Sequence, residues 1–371
     1  MKQYRVPFFE ALARVLAEHN IELTVAFGEP TIEEATKGDS ATLSHQISRP
    51  VKNYWLFNGK LLIQNVCQEI IRSDVVIVEH ANKHLVNYPL LLGARLGLKS
   101  LAFWGHGYNR QARKSGFEEW LKHQTLNMVG WWFAYTQGTA DYLKRNGFPS
   151  DRITVVQNSV DTSSFEAEVS AISEENRSAL RLRLGILPGD LVGLFCGSLY
   201  GDKKLHFLVD AARLLREQIP NFHLIIVGDG PERDNLRHYV GSDEWIHIVG
   251  SQFGFEKAVY FGVSDVVLNP GLVGLAILDA FVAALPVFTT DIPVHSPEIE
   301  YLLPGVNGDV TPFSLQEYVD AVVRYLHDPA LRARLKEGAK ASAARLTLDV
   351  MVANFKHGIL AFLDQSGRRG R

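Results

Sequence analysis

Residues 266–281, which read VVLNPGLVGLAILDAF, combine a buried strand, a glycine-containing loop and the start of a helix. The pattern predicts that the helix begins at about Leu275. Free N–H groups of Val273, Gly274 and Leu275 would then face an anion such as a phosphate, and the helix dipole favours the same charge. Asp279, about one turn into the helix, is a candidate contact to a ribose hydroxyl. The pattern fits equally well an ordinary buried strand-turn-helix in which the glycines only permit the turn.

Strands and helices alternate along both halves of the chain. In the N-terminal half, strands are predicted at residues 21–27, 74–79, 99–104, 132–136 and 153–157, and helices at 6–16, 86–96 and 140–146. In the C-terminal half, strands are predicted at residues 191–197, 222–228, 245–249, 263–268 and 286–290, and helices at 205–218, 231–239 and 275–284. Repeated units of this kind predict parallel sheets covered by helices on both faces. We therefore expect two Rossmann-like domains that bind ligands beyond the carboxyl ends of their strands.

The domain boundary is predicted near residue 165. The segment of residues 163–175 is small, acidic and aperiodic, so it is the predicted linker between an N-terminal domain of residues 1–165 and a C-terminal domain of residues 166–345. Doubly wound domains usually open on a strand, yet only Met1-Lys-Gln precedes the first predicted helix. We therefore expect the opening strand to be missing or to lie upstream of this start.

The composition indicates a globular protein without a nucleic-acid surface. The chain has 371 residues, enough for two domains, and 38 basic against 41 acidic side chains. This balance creates no positive field for nucleic acid, so an anion site must be local. Only Cys67 and Cys196 occur, which predicts neither a disulfide framework nor a zinc site. No apolar run is long enough to span a bilayer, and we expect a cytoplasmic protein that is at most peripheral to a membrane.

Two further strand-to-helix loops are candidates for phosphate binding. In residues 195–204, FCGSLYGDKK, Lys203 is placed to supply a cation, although Lys203 and Lys204 also fit solvated residues of a first helical turn. Residues 226–232, IVGDGPE, resemble a phosphate loop but carry no basic residue. We interpret them as a tight turn in which Asp229 caps the following helix.

Together these segments resemble retaining glycosyltransferase family 4. The resemblance is carried by Asn158-Ser-Val-Asp161, Gly197 to Lys203, Val227-Gly-Asp-Gly-Pro231, Val249-Gly250, Asn269-Pro270 and Gly274 to Ala280, and more loosely by Gln3 to Phe9 and Trp104-Gly-His-Gly107. It implies a GT-B fold, with two Rossmann-like domains facing across a cleft and residues 346–371 crossing back to the first domain. It also implies a nucleotide-diphosphate sugar donor of UDP or GDP type, retention at the anomeric carbon and no metal cofactor.

The same resemblance assigns the candidate site residues. The donor-binding positions are Gly197, Ser198, Val249, Gly250, Gly271, Leu272, Val273, Gly274, Leu275 and Asp279. Lys203 would stabilise the leaving diphosphate, and His106 would hydrogen-bond the donor sugar or the acceptor. These two are the candidate catalytic residues.

Three positions depart from the family pattern. Gly271 and Asp279 stand where the family usually carries two glutamates, and Ser198 stands where it usually carries an arginine. The missing carboxylate at Gly271 leaves the sugar undetermined. Glu298 is a candidate substitute near the sugar, although a capping or surface role fits its position as well.

The acceptor is expected in the N-terminal half. His106 follows a predicted strand between two glycines, which permit close approach of a ligand, although a lone histidine is usually structural. His80 is a weaker candidate of the same geometry, and Lys83 beside it would attract an anionic acceptor.

A basic and aromatic segment follows His106. It contains Arg110, Arg113, Lys114, Phe117, Trp120, Lys122, Trp131 and Trp132. Such a composition suits weak peripheral contact with a membrane and a lipid-linked acceptor. An amphipathic helix with inward-packed aromatics is the alternative, and we favour it.

The predicted function is transfer of a sugar to a saccharide or lipid-linked acceptor in bacterial polysaccharide or glycolipid assembly. Two alternatives stay open: a GT-B nucleotide-sugar epimerase that needs no acceptor, and a non-catalytic GT-B partner subunit. The glycine at position 271 argues mildly against the first. Lys203 and the glycine loop argue against the second, whereas the lost glutamate and arginine favour it.

Overall fold

The computed structural model describes residues 1–29, 41–107 and 116–369. Over these residues the chain divides into two compact units. The first is formed by Met1–Asp161 together with the C-terminal segment from Leu348, and the second by Thr162–Thr347.

The first unit contains a four-stranded parallel sheet and two small two-stranded sheets. The strands are β1 (Val25–Phe27), β2 (Ser48–Pro50), β3 (Asn53–Leu56), β4 (Leu61–Gln64), β5 (Val75–Glu79), β6 (Ser100–Gly105), β7 (Trp131–Ala134) and β8 (Ile153–Val155). The helices are α1 (Val6–Ala17), α2 (Cys67–Arg72), α3 (Asn87–Arg95), α4 (Gly116–Thr125) and α5 (Gln137–Arg145), with a 3₁₀ turn at Gln3–Arg5. Strands β5 to β8 lie side by side in sequence order, and the hairpin of β3 and β4 was not predicted.

Aromatic packing holds helices against one face of the four-stranded sheet. Phe8, Leu12 and Leu16 repeat every fourth residue, so they form one buried stripe of α1. The C-terminal helix, Leu348–Arg369, packs in the same cluster and stacks Phe355 on Phe133 with ring centroids 4.6 Å apart. Each buried phenylalanine of this kind contributes about 1.5–3 kcal/mol of stabilisation.

The second unit is a six-stranded parallel sheet with the order β11-β10-β9-β12-β13-β14. Its strands are β9 (Leu191–Cys196), β10 (Phe222–Val227), β11 (Ile246–Gly250), β12 (Val266–Leu268), β13 (Val287–Thr290) and β14 (Gly308–Thr311). Its helices are α6 (Thr162–Ser170), α7 (Glu174–Arg183), α8 (Leu205–Gln218), α9 (Arg233–Val240), α10 (Gly254–Gly262), α11 (Ala276–Val282), α12 (Leu315–His327) and α13 (Pro329–Ala343); the chain then continues into α14, the C-terminal helix. Strand addition reverses direction between β9 and β12, which is the switch point where doubly wound sheets bind ligands.

Two sequence predictions about this unit are wrong. The predicted linker at residues 163–175 is mostly helical, because Phe165 anchors α6 against Phe261 with ring centroids 5.3 Å apart. Asp229 does not cap α9, whose N-cap is Glu232; its carboxylate instead pairs with Arg233 at 2.6 Å. In both cases a tertiary or side-chain contact overrides the local composition.

The close approach of α14 to the sheet generates a test. A Cβ at Gly358 would lie 2.5 Å from Thr154 Oγ1 and 2.6 Å from the Phe133 ring, whereas a Cβ at Gly367 on the same helix would contact nothing within 4 Å. We expect Gly358→Ala to destabilise the protein by about 1–3 kcal/mol in urea unfolding. Gly367→Ala, the matched control, should be neutral or slightly stabilising. Equal effects of both substitutions would contradict the packing described.

Candidate functional site

The loops that follow β9 and β12 are joined by direct hydrogen bonds. The N–H of Leu272 donates to the carbonyl of Asp202 at 2.9 Å, and the Lys203 ammonium donates to the carbonyl of Leu272 at 2.6 Å. The Asn269 side chain donates to the same carbonyl at 3.2 Å. These contacts place Lys203 at the carboxyl edge of the sheet, at its switch point.

Lys203 is a partly buried cation. Burial lowers its pKa to about 8, opposed by the proximity of Cys196 and Asp202. In the part of the chain that the structure describes, no carboxylate lies within ion-pair distance of its ammonium group. The lysine is thus mostly protonated at neutral pH and is available to an anion.

Gly271 occupies a position where a side chain does not fit. A Cβ there would overlap the backbone of Asp202 and Lys203. The backbone of the β9 loop therefore fills the space in which a relative with a larger residue at this position would place its side chain. The packing of the two loops therefore requires glycine at position 271, where the family usually carries a glutamate.

The predicted amide cradle is only partly present. The N–H of Leu272 donates to the carbonyl of Asp202, and the N–H of Val273 donates to His295 Nδ1 at 3.1 Å. Neither group is therefore free to bind an anion. The prediction of a free Val273 N–H is therefore wrong. The N–H groups of Gly274 and Leu275, which precede α11, have no hydrogen-bond acceptor within the described residues.

His295 is a site residue that the sequence analysis missed in this role. Its Nε2 donates to the carbonyl of Thr290 at 2.7 Å while its Nδ1 accepts from Val273, which fixes a neutral ring in one tautomer. It is buried and braces the loop after β12. Its position three residues before Glu298, a candidate named from the sequence, was the available signal.

Asp279 is engaged by a lysine that the sequence analysis did not identify. Its Oδ2 lies 3.2 Å from Lys257 Nζ, and that ammonium lies 4.2 Å from the ring centroid of Phe165. Burial raises the pKa of Asp279, and Lys257 opposes this effect. Contact of Asp279 with a ribose stays a prediction. Lys257 lies in an ordinary amphipathic helix, so no motif indicated it.

Gly197, Ser198, Val249 and Gly250 lie along the same edge of the sheet. Gly228 packs so closely on Gly197 that a Cβ at Gly228 would overlap the Gly197 carbonyl. Ser198 is exposed, and the Val249 carbonyl accepts from the Gln252 side chain at 3.1 Å. Gly250 has φ of 76°, which favours glycine.

Glu298 is buried, with 4% exposure, in the 3₁₀ turn Pro297–Tyr301. A surface role is therefore excluded. The turn follows Ser296, whose hydroxyl lies 3.8 Å from the position of a Cβ at Gly274. The proposed contact of Glu298 with the sugar stays a prediction.

The structure gives the two candidate histidines of the first unit different surroundings. His106 follows β6 and packs edge-on against Tyr135, with ring centroids 5.5 Å apart. His80 is buried against Phe103 and Trp132, and its Nε2 lies 3.0 Å from Thr125 Oγ1. Burial lowers the pKa of His80 to about 3, with a smaller contribution from Lys122. These contacts favour a structural role for His80.

Lys83, the third candidate of this unit, is exposed. Its ammonium group lies 5.9 Å from the ring centroid of Trp55. Attraction of an anionic acceptor by Lys83 stays a prediction.

The basic and aromatic segment is described only in part. Arg110, Arg113, Lys114 and the side chain of Phe117 lie outside the described residues. Trp131 and Trp132 are buried, but they belong to strand β7 rather than to a helix. Trp120 of helix α4 is 55% exposed, which does not match the inward-packed helix that we favoured.

No helix of the described residues is alone long and apolar enough to cross a membrane. Two consecutive helices, Pro329–Ala343 and Leu348–Gly367, meet this test only when taken together across their break. Within the same residues, no three His, Cys, Asp or Glu side chains are grouped so as to hold a metal ion.

The fold and the site define a class. An α/β unit with a four-stranded parallel sheet and a doubly wound α/β unit with an anion-accepting edge are the two parts of a GT-B fold. A family model for glycosyl transferases group 1 matches residues 190–328, and a model for glycosyltransferase family 4 matches residues 8–164. The matches lie one in each half and together span most of the chain. The chain belongs to the GT-B glycosyltransferases, which confirms the resemblance and the fold class expected from the sequence.

Individual relatives are distant. The alpha-monoglucosyldiacylglycerol synthase of Acholeplasma laidlawii is 24% identical over 206 residues, covering 54% of this chain and 51% of that protein. The chain thus spans about half the length of this relative. The D-inositol 3-phosphate glycosyltransferase of Pseudarthrobacter chlorophenolicus is 28% identical, covering 90% and 84%. The crystal structure of Anabaena HepE with UDP matches with a TM-score of 0.70 over 97% of each chain at 17% identity, which shows the fold.

The burial of His80 generates a pH prediction. A histidine whose pKa falls from 6.5 to about 3 on folding stabilises the protein fully above pH 6.5, and this stabilisation is lost as the pH falls from 6.5 toward 3. Between pH 7 and pH 5 we expect this residue to lower the free energy of unfolding by about 2 kcal/mol. Five of the six tryptophans belong to the first unit, so urea unfolding followed by tryptophan fluorescence measures it.

The matched variants are His80→Gln and His19→Gln. His19 is exposed, so its replacement should leave the pH dependence unchanged. His80→Gln should flatten it. An unchanged pH slope in His80→Gln would show that His80 does not carry this dependence.

Proposed function

We propose that this protein transfers a sugar from a nucleotide-diphosphate donor to an acceptor hydroxyl with retention of anomeric configuration, in bacterial polysaccharide or glycolipid assembly. The observation that carries the proposal is the Lys203 ammonium, which has no counter-ion among the described residues and is bonded to the carbonyl of Leu272, in the same loop as the N–H groups of Gly274 and Leu275. HepE, which shares the fold, was solved with UDP. The named relatives act on an inositol phosphate and form a glycolipid, which supports a saccharide or lipid-linked acceptor.

The proposed chemistry depends on stabilisation of the leaving group. Negative charge develops on the diphosphate as the bond to the sugar breaks, and a fixed cation with nearby amides stabilises that charge without reorganisation. Lys203 supplies the cation, and no metal ion is required in this proposal. His106 of the first unit would hydrogen-bond the sugar or acceptor.

A protein nucleophile in this site is not proposed. The Cys196 thiol is the nearest candidate, but burial, reinforced by Asp279, raises its pKa to about 12. A thiol of this kind stays neutral and is a poor nucleophile. In the proposed same-face reaction, an oxygen of the leaving phosphate therefore accepts the proton of the attacking hydroxyl.

Donor binding is tested by thermal shift with UDP, GDP, ADP, CMP and dTDP sugars. A ligand that binds only the folded state raises Tm, so one nucleotide class should do so. Lys203→Ala should abolish the shift. Lys204→Asn is the matched control, because Lys204 has φ of 55° and asparagine tolerates this conformation. A shift that survives Lys203→Ala would contradict the assigned cation.

The lowered pKa of Lys203 gives a second prediction. The lysine is protonated below a pKa of about 8 and loses its charge above it, so affinity for a nucleoside diphosphate should fall as the pH rises through 8. Isothermal titration with the nucleotide identified above, between pH 6.5 and 9.5, measures this. Lys203→Arg should remove the decline, because arginine stays charged throughout. A decline that is identical in Lys203→Arg would assign it to another group.

Activity assays separate the proposed reaction from its alternatives. Product that forms only with an acceptor, in the presence of EDTA, supports a metal-independent transferase. Conversion of the donor into another nucleotide sugar without acceptor would support the epimerase. Absence of any turnover would support the partner subunit. Binding to anionic vesicles at low salt tests peripheral membrane contact. If the protein does not bind the vesicles, the hypothesis of membrane contact is wrong.

A further inference from the structure

Arg5 is a buried cation in the first unit. It is 8% exposed and is the last residue of the 3₁₀ turn Gln3–Arg5, directly before α1. One terminal nitrogen donates to Asn158 Oδ1 at 2.8 Å. The guanidinium lies over aromatic rings, 4.7 Å from the ring centroid of Trp104 and 5.8 Å from that of Tyr135. Among the described residues, the positive charge thus contacts aromatic ring faces and one neutral amide.

Three arginines that are less buried than Arg5 have carboxylate partners. Their contacts are Arg213 with Asp243 at 2.8 Å, Arg233 with Asp229 at 2.6 Å and Arg332 with Asp265 at 2.7 Å. Arg5 has no carboxylate within ion-pair distance among residues 1–29, 41–107 and 116–369. A desolvated cation without a counter-ion is costly, so an anion that the described residues do not supply would complete this arrangement.

The position of Arg5 is that of a ligand site. Trp104 is the penultimate residue of β6, Tyr135 directly follows β7, and Asn158 follows β8. The guanidinium therefore lies at the carboxyl ends of three adjacent parallel strands, where doubly wound sheets bind ligands. His106 packs against the same Tyr135 ring, so the candidate acceptor residue and Arg5 share one edge.

A second donor lies beside Arg5. The indole Nε1 of Trp104 is buried and has no acceptor in the described part of the chain. Buried N–H groups are normally paired, so this one also indicates an acceptor atom that residues 1–29, 41–107 and 116–369 do not provide. An unsatisfied N–H donor and a charged group without a described carboxylate partner thus lie close together at the edge of the sheet.

We infer that Arg5 and Trp104 bind an oxyanion, a phosphate or a carboxylate, carried by the acceptor. The inference rests on the proposed function, in which the first unit holds the acceptor. A guanidinium presents a planar pair of donors that matches an oxyanion bidentately. The competing explanation is a purely structural arginine held by Asn158 and the aromatic rings.

The test uses the full chain with Lys203→Ala as background, because that variant lacks the proposed phosphate cation of the second unit. The probes are inorganic phosphate, glucose 1-phosphate, glucuronate and glucose, measured by isothermal titration. We expect at least one of the three anions to bind and glucose not to bind. Phosphate-only binding identifies a phosphorylated acceptor, and glucuronate binding identifies a carboxylated one.

Adding Arg5→Gln should weaken anion binding at least about tenfold, the loss expected for a charged hydrogen bond. Arg14→Gln is the matched control, since Arg14 is an exposed arginine of α1. Trp104→Phe keeps an aromatic ring at this position but removes the indole N–H, and we expect it to weaken anion binding about threefold or more. It also keeps the inference testable if Arg5→Gln fails to fold.

UDP-sugar binding, measured on proteins that retain Lys203, separates this inference from the proposed function. If UDP-sugar raises Tm equally with and without Arg5→Gln, and no anion binding depends on Arg5, the inference is wrong while the proposed function stands. Arg5-dependent anion binding without any nucleotide binding supports the anion site and contradicts the proposed donor. Equal anion affinity in Arg5→Gln and Arg14→Gln overturns the inference.

Discussion

The contact between the loops after β9 and β12 is the constraint on which the site of the second unit depends. Two hydrogen bonds join Leu272 to Asp202 and Lys203, and they leave no room for a side chain at position 271. The same contact directs the lysine to the switch point of the sheet. A glycine that departs from the family pattern and a lysine that follows it are therefore two parts of one arrangement.

Both units contain a cation that is removed from water without a carboxylate partner in the described chain. Lys203 responds to its burial by a lowered pKa, whereas arginines in general keep their charge at physiological pH. Elsewhere in the molecule the charge of a partly buried arginine is neutralised by a carboxylate, as in the ion pair of Arg332 with Asp265. Charges left uncompensated in this way favour ligand binding at the expense of stability.

The architecture was predictable because apolar strands and amphipathic helices alternate with regular spacing, and the strands of the second unit, such as Phe222–Val227, are continuously buried. Helix α6 was not predictable, because its small and acidic residues form a helix through the tertiary contact of Phe165. Lys203 was found from its motif. Lys257 and His295 act across 22 residues each, on Asp279 and Val273, and no local pattern encodes such a pairing.

The return of α14 to the first unit has a consequence for biosynthesis. Ribosomes release the chain from its N-terminus, so residues 1–161 emerge well before the helix that completes their core with Phe355, Ile359 and Phe362. The second unit has all of its strands by Thr311 and is able to fold earlier. Until α14 emerges, the part of the apolar sheet face that it covers is exposed, and such exposed surface favours aggregation of the nascent first unit.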